Sequence, residues 1–175
     1  MSFTQEMQNH LKEFGWYPNR KIDTYDDFME KYNYPEFIRE FIREYGGLKI
    51  LELLEKNDTS VVNKTSLNPL DSDGMGADSV AEDYASDLGR KLYVIGLYRP
   101  ENFDIAVDEN GAVYFLGEYC QCVGKNLYEG LESIIRIDQW SQLELYAKDT
   151  TSGKWQDIRG EFVDFESYEF KYKKF

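Results

Sequence analysis

The chain has 175 residues, of which 42% are hydrophobic and 16% aromatic, and its formal net charge is −13. This length and composition predict a single folded domain with a real core, because the aromatic content argues against disorder. The negative charge repels nucleic acid and anionic membrane surfaces, so it disfavours both as direct partners. It favours either a basic protein partner or nothing more specific than high solubility.

The features that report on the cellular compartment point to the cytoplasm. No apolar run is long enough to cross a membrane, and the residues after Met1 lack the basic and apolar regions of a signal peptide. Cys120 and Cys122 are the only cysteines, and their spacing places both on the same side of a strand, a poor arrangement for a disulfide. We therefore expect a cytoplasmic protein with reduced thiols.

Apolar residues at helical spacing predict three helices in the N-terminal part of the chain. The first covers residues 3–14 and the second covers about residues 23–32. The third is the clearest: it begins with Pro35 at its first position, runs to Tyr45 and ends at Gly46-Gly47. In residues 48–51, apolar and polar side chains then alternate, which predicts a strand that enters a sheet.

The middle of the chain changes from helical spacing to short extended runs bounded by turn residues. The predicted elements are a strand at 60–67, a helix at 77–88, strands at 92–98, 103–107, 112–116 and 118–123, and a helix at 126–136. Between two of these strands, Asn110-Gly111 predicts a tight hairpin turn in which both residues take positive φ angles. Residues 140–149 fit another helix, and residues 161–175 fit a helix, a strand or a tail folded onto the domain.

No group of residues predicts a catalytic, metal or cofactor site. His10 is the only histidine and stands alone, so a zinc site would need carboxylates. Residues 71–76 match only part of a calcium loop, and Gly74-Met75-Gly76 is too short for a phosphate loop. Asp108 and Glu109 have groups suited to acid–base chemistry, but they flank a turn, where solvated carboxylates are common. We therefore expect a protein that is not an enzyme and has no metal or other cofactor.

Acidic residues are concentrated in one part of the sequence. Residues 64–124 contain 11 acidic and four basic residues, interleaved with tyrosines and phenylalanines. This pattern fits a solvated face above core aromatics as well as it fits a docking face for a basic partner. The residues that the second interpretation assigns to the contact surface are Asp71, Asp73, Asp78, Glu82, Asp83 and Asp87, with Asp108 and Glu109 nearby.

Six short segments follow one another between residues 3 and 137. They are Gly15-Trp16-Tyr17-Pro18-Asn19-Arg20, Tyr45-Gly46-Gly47-Leu48, Asn68-Pro69-Leu70, Leu92-Tyr93-Val94-Ile95-Gly96, residues 105–114 and Val123-Gly124. Their order and spacing resemble the SUKH superfamily, and within it the group with a Gly-Trp-x-Pro-x-Arg opening. Ala112 departs from that pattern, since a basic residue is expected there, and residues 138–175 have no counterpart.

The resemblance implies a single α+β domain in which helices flank a central, largely antiparallel sheet. Residues 1–137 would form the SUKH-like domain, and residues 138–175 a C-terminal extension packed on it. The resemblance also implies a bacterial immunity protein, or antitoxin, that binds and neutralises a cognate polymorphic or contact-dependent toxin. Such toxins are often nucleases, and an acidic inhibitor would occlude their basic active-site face.

Under this resemblance the motif residues are expected to build the fold and not the contact surface. These residues are Trp16, Pro18, Arg20, Gly46, Gly47, Gly111 and Tyr114. Arg20, next to Trp16, fits a buried ion pair equally well. The alternative function is a non-enzymatic scaffold or regulatory protein-binding module, and the alternative from the enzyme class is a carboxylate-based hydrolase.

Overall fold

The chain folds into helices on both sides of a central antiparallel sheet. The computed structural model describes residues 3–51, 64–71, 75–76, 79–99, 101–136, 143–145, 147–149, 151–152, 154–165 and 167. The helices in these ranges are α1 (Gln5–Glu13), α2 (Asp26–Lys31), α3 (Glu36–Tyr45), α4 (Val80–Leu88) and α5 (Leu127–Ile135). The strands are β1 (Lys49–Leu51), β2 (Lys64–Ser66), β3 (Leu92–Tyr98), β4 (Phe103–Asp108), β5 (Val113–Leu116), β6 (Cys120–Gly124), β7 (Leu143–Leu145), β8 (Ala147–Lys148), β9 (Trp155–Gln156) and β10 (Phe162–Val163).

The central sheet is an antiparallel meander in which strands β1 to β7 lie side by side in chain order. A smaller sheet has the order β10-β9-β8. Every pair of neighbouring strands is antiparallel. The architecture confirms the expected α+β fold with an antiparallel sheet flanked by helices, and the three helices predicted before residue 46 are present.

Alternating side chains of the central strands form two cores, one on each face of the sheet. Ile105 and Val107 of β4 point into a core closed by α1, α2, α3 and α5, which we name the first layer. Ala106 of β4 and Tyr114 of β5 point into a core closed by α4 and the small sheet, which we name the second layer. Because both faces are covered, β3 and β5 are buried along their whole length.

The first of the six segments, residues 15–20, begins where α1 ends. The N–H of Trp16 donates to the carbonyl of Leu11 at 2.9 Å, and the N–H of Gly15 donates to that of Lys12 at 3.1 Å, which is the Schellman pattern of helix termination. A turn follows, closed by a 3.1 Å hydrogen bond from Arg20 to Tyr17. Together these two devices reverse the chain within a few residues and direct Arg20 back toward α3.

Proline and asparagine set the geometry of that turn. Pro18 occupies its second position, where a φ near −65° is required, and Asn19 has a φ of 61° at the third position. This combination fits a type II turn, which needs a residue that tolerates positive φ after the proline. Pro18 is exposed, so its contribution is to the shape of the chain and not to the core.

Arg20 and Trp16 bind the C-terminal end of α3. The two terminal nitrogens of Arg20 donate to the carbonyls of Glu44 and Gly46, each at 2.7 Å. Helix C-termini leave such carbonyls without intrahelical partners, and a cation there also interacts well with the helix dipole. The Trp16 indole stacks on Tyr45 and donates from Nε1 to Glu44 Oε1 at 3.2 Å. Arg20 thus pairs with backbone carbonyls, and the described residues give it no salt bridge, contrary to the ion-pair alternative.

Gly46 is required by the tight packing at this junction. A Cβ atom at Gly46 would lie 2.4 Å from the carbonyl oxygen of Ile42, well inside van der Waals contact. The next residue, Gly47, donates its N–H to the carbonyl of Leu67 at 2.7 Å and so connects α3 to the chain after β2. The first two segments, residues 15–20 and 45–48, therefore form one structural unit.

The hairpin between β4 and β5 is confirmed, but its turn differs from the predicted one. Gly111 has a φ of 98°, whereas Asn110 does not have a positive φ. The N–H of Gly111 donates to the carbonyl of Asp108 at 3.0 Å, and the N–H of Asp108 donates to Ala112 at 2.9 Å. This pattern fits a type I turn followed by a glycine bulge, which needs positive φ at the glycine alone.

The prediction of a helix at residues 140–149 is wrong for the part that the structure describes. Residues 143–145 form β7, which pairs with β6, and residues 147–148 form β8. Leu143 and Leu145 alternate into the second layer, where Trp155 and Phe165 are also buried. The edge of β6 offers a full ladder of backbone partners, and this tertiary pairing outweighs a weak local preference for helix.

We predict that Arg20→Met lowers the free energy of unfolding by about 2 kcal/mol, since two hydrogen bonds from a charged donor are lost. Urea denaturation of the variant measures this loss. Lys21→Met is the matched control, because Lys21 is an exposed neighbour, and it should change the free energy by less than about 0.5 kcal/mol. Equal stability of the two variants would show that the guanidinium does not hold α3.

Candidate functional site

The exposed face of α4 carries three of the acidic residues that the sequence singles out. Glu82, Asp83 and Asp87 are all exposed, and the described residues form no ion pair with any of them. Residues four apart lie next to each other on a helix, so Asp83 and Asp87 form one strip of charge. We name these three residues, together with the exposed Val80, the α4 face.

The side chain of Ser79 defines where α4 begins, and Tyr84, Ala81 and Leu88 hold the helix on the sheet so that its acids point to solvent. Ser79 caps the first turn by accepting a hydrogen bond from the N–H of Glu82 at 3.2 Å. The Tyr84 hydroxyl donates to the carbonyl of Gly117 at 3.1 Å, on the turn between β5 and β6. Ala81 and Leu88 are buried in the second layer. The opposite side of the helix is therefore the one left for contact.

Helix electrostatics do not explain all of these charges. Glu82 and Asp83 lie in the first turn, where negative charge is stabilised by the helix dipole. Asp87 lies near the C-terminal end, where negative charge is destabilising, and it also repels Asp83 across one turn. No basic residue stands in the last turn to compensate. Asp87 is thus at a position that stability alone does not favour.

The other predicted contact residues lie elsewhere. Asp71 is exposed but accepts hydrogen bonds from Ser66 and, at 2.8 Å, from Asn68, so its carboxylate orders its own loop. Its charge also raises the pKa of Tyr25, a first-layer residue, after the larger effect of burial. Asp73 and Asp78 lie outside the described residues.

Asp108 is not on an exposed face, contrary to the expectation from the sequence. Its side chain is 0% exposed. One carboxylate oxygen accepts from the N–H groups of Asn110 at 2.8 Å and Ala112 at 2.9 Å. The other accepts from Arg90 at 2.6 Å and from the Tyr114 hydroxyl at 3.0 Å. Burying a carboxylate without such partners would be strongly destabilising. With them, Asp108 holds the hairpin together from the inside.

The groups around Asp108 extend this anchor into the second layer. Burial raises the pKa of Tyr114, so its hydroxyl remains a proton donor to the carboxylate. The Arg90 guanidinium lies 5.4 Å from the ring centre of Phe165, and the Lys125 ammonium lies 5.8 Å from the same ring. Glu109, the next residue after Asp108, is exposed and remains available for contact.

No site for metal or thiol chemistry is found in the described part of the chain. No cluster of histidine, cysteine, aspartate and glutamate is arranged there to hold a metal ion. Cys120 and Cys122 are free and buried on the same side of β6, as the spacing predicts. Burial raises the pKa of both thiols, which keeps them in the unreactive protonated form.

A groove on the first layer was not predicted from the sequence. It has a volume of about 360 Å³ and lies between α3, the β4–β5 turn and the start of α5. Aromatic rings and two carboxylates line it. The lining residues include Phe37, Glu40, Glu44, Gly111 and Tyr128. The amphipathic pattern of α3 exposes Glu40, but no sequence signal shows that two distant segments close a groove beside it.

Comparison with models of known protein families identifies the family of this chain. The family model SUKH-3, described as SUKH-3 immunity protein, matches residues 3–137. That range contains both the Trp16–Arg20 junction with α3 and the Asp108 anchor. The chain belongs to the SUKH-3 immunity protein family. No curated protein and no solved structure matches it.

Family membership gives this SUKH-3 protein the role of an immunity protein, whose partner is a cognate toxin protein. The matched range ends before β7, so the small sheet that closes the second layer lies outside it. In the described ranges, none of the helices of this SUKH-3 protein has the length and apolar character of a membrane span.

We predict that Asp108→Asn lowers the free energy of unfolding by about 3 kcal/mol, because it removes the charge of a buried carboxylate that forms an ion pair with Arg90. Chemical denaturation checks this value. Glu109→Gln, at the exposed neighbour, should change stability by less than about 0.5 kcal/mol. If Asp108→Asn were equally harmless, the carboxylate would not anchor the hairpin.

We predict the opposite sign for Asp87→Asn, which should raise the free energy of unfolding by about 0.5 kcal/mol by removing an unfavourable charge from the helix end. Glu82→Gln is the control, since it removes a favourable charge and should lower stability by a few tenths of a kcal/mol, on the order of the dipole effect. Thermal or urea unfolding of both variants gives the comparison. A stability loss in Asp87→Asn would show that Asp87 serves the fold itself.

Proposed function

We propose that this immunity protein neutralises a nuclease toxin by covering its basic active-site face, and that the α4 face makes the first electrostatic contact. The family establishes an immunity role. The nature of the toxin and the residues in contact are inferred from charge and exposure. The observation that carries the proposal is the set of exposed carboxylates on the α4 face, with which no described residue forms an ion pair, in a chain of net charge −13.

Unpaired carboxylates are suited to rapid capture of a basic protein. Charges that have no internal partner project their field into solvent, and complementary fields raise association rates by one to three orders of magnitude. Ion pairs inside the protein would have cancelled that field. The exposed Val80 adds an apolar contact next to the acids, as interfaces combine charged rims with apolar anchors.

Occlusion of a nuclease follows from the same charges. A nuclease binds the phosphate backbone through lysine and arginine residues, and those residues bind carboxylates by the same charge-assisted hydrogen bonds. A rigid acidic surface therefore competes directly with nucleic acid for the active-site face. No chemical step by the immunity protein is needed.

Charge reversal on the α4 face tests the proposal. The triple variant Glu82→Lys, Asp83→Lys and Asp87→Lys should slow association with the cognate toxin by about tenfold or more at low salt. It should also flatten the dependence of the association rate on ionic strength, because fewer complementary charges remain to be screened. Stopped-flow or surface-based kinetics at several salt concentrations measure both effects.

A second triple variant distinguishes the effect of where the charges lie from the effect of the change in net charge. Glu13→Lys, Asp27→Lys and Glu30→Lys change the net charge by the same amount at exposed positions on α1 and α2, which cover the other face of the sheet. We expect a much smaller effect on the association rate. Equal slowing by the two variants would contradict a specific role of the α4 face, and absence of any complex with the wild-type protein would contradict the proposed function.

A further inference from the structure

The groove on the first layer combines aromatic surface with negative charge. Phe37 is 39% exposed at its rim, and its ring lies 3.7 Å from the place of a Cβ atom at Gly111. Tyr128, at the start of α5, also lines the groove. Beneath them, Phe41 and Tyr45 are buried in contact with each other, with ring centres 4.8 Å apart. The floor and walls are therefore fixed by the core.

In the part of the chain that the structure describes, no residue forms a salt bridge with Glu40 or Glu44, the two carboxylates of the groove. Glu40 is exposed, and no described residue forms an ion pair with it. A second recess of about 320 Å³ shares Glu40 and Glu44 and includes Arg20 and Arg43. Both arginines are already engaged, Arg20 by backbone carbonyls, as described above, and Arg43 by carboxylates.

Arg43 provides the clearest case of this engagement. Its Nε lies 3.0 Å from Asp26 and its Nη1 lies 2.9 Å from Glu36. The hydrogen bond that Arg43 donates to the Asp26 carboxylate is the main reason that the pKa of Arg43 is raised. A guanidinium held by these two partners does not also compensate Glu40. The groove keeps net negative charge beside an exposed phenyl ring.

This combination matches the chemistry of an arginine side chain. A guanidinium is planar, stacks on aromatic rings and binds a carboxylate through parallel hydrogen bonds. A lysine ammonium satisfies the charge but not the stacking. The volume of about 360 Å³ accommodates one long side chain and part of its backbone, near the lower limit of specific pockets. A second copy of this chain is a poor occupant, because two molecules of charge −13 repel each other.

We propose that the groove receives an arginine side chain of the toxin, with its guanidinium on the Glu40 carboxylate and against the Phe37 ring. This inference rests on the proposed function, since the arginine belongs to the bound nuclease. It adds a second contact, on a different layer from the α4 face. The α4 face governs how fast the complex forms, and the groove governs how long it lasts, because desolvated ion pairs act mainly on dissociation.

The test measures the dissociation constant of the toxin complex for single variants of the groove. Glu40→Gln should weaken binding by about tenfold and mainly raise the dissociation rate. Phe37→Leu keeps an apolar side chain but removes the ring, and should weaken binding by about threefold. Glu118→Gln is the matched control at an exposed carboxylate on the turn at the far end of β5, and should change affinity by less than about twofold. Circular dichroism confirms that each variant is folded.

A double-mutant cycle identifies the arginine. Each surface arginine of the toxin is replaced by glutamine and tested against the wild-type protein and against Glu40→Gln. One toxin replacement should weaken binding to the wild type about tenfold but binding to Glu40→Gln less than about twofold, because the partner is already missing. If Glu40→Gln and Phe37→Leu bind as tightly as the control, or if no toxin arginine shows coupling, the groove inference is overturned while the immunity function stands. If the wild-type protein forms no toxin complex, both proposals are overturned.

Discussion

The packing of the first layer depends on one guanidinium at the end of one helix. Arg20 donates to two carbonyls at the C-terminus of α3, and the turn that delivers it depends on Pro18 and Asn19. This contact joins the end of α1 to the end of α3 before the sheet begins. Without it, α3 would have unpaired carbonyls at its C-terminus and a less defined position. The groove depends on the same contact, because α3 forms its longest wall.

Asp108 has the equivalent role between the two layers. Its carboxylate holds the β4–β5 turn through backbone N–H groups and holds Arg90, two residues after the end of α4, through an ion pair. A buried charge with four partners is costly to disrupt, so it fixes one geometry. The turn that borders the groove and the helix that carries the acidic face are thereby linked through a few well-ordered atoms.

Local patterns were sufficient to predict the helices and the hairpin, because their spacing and turn residues act within a few positions. The burial of Asp108 was not predictable in this way, since its main partner, Arg90, is 18 residues away and the local sequence looks like a solvated turn. β7 was missed because only Leu143 and Leu145 alternate, and a strand this short is defined by its partner β6. The groove was missed because α3, Gly111 and Tyr128 meet only in three dimensions. The predicted acids of α4 were found together on its exposed side, whereas Asp71 was found on a separate loop.

The charged residues fall into two groups, those with internal partners and those that are exposed without a described ion pair. Asp108, Arg20 and Arg43 have internal partners and serve the framework, whereas Glu40 and Asp87 are exposed carboxylates that no described ion pair compensates. Asp87 is even placed where helix electrostatics oppose it. The packing of the core does not require these charges, because both side chains are exposed. A rigid framework that presents uncompensated acids loses little conformational entropy on binding, and this preorganisation is what a fast and tight inhibitor requires.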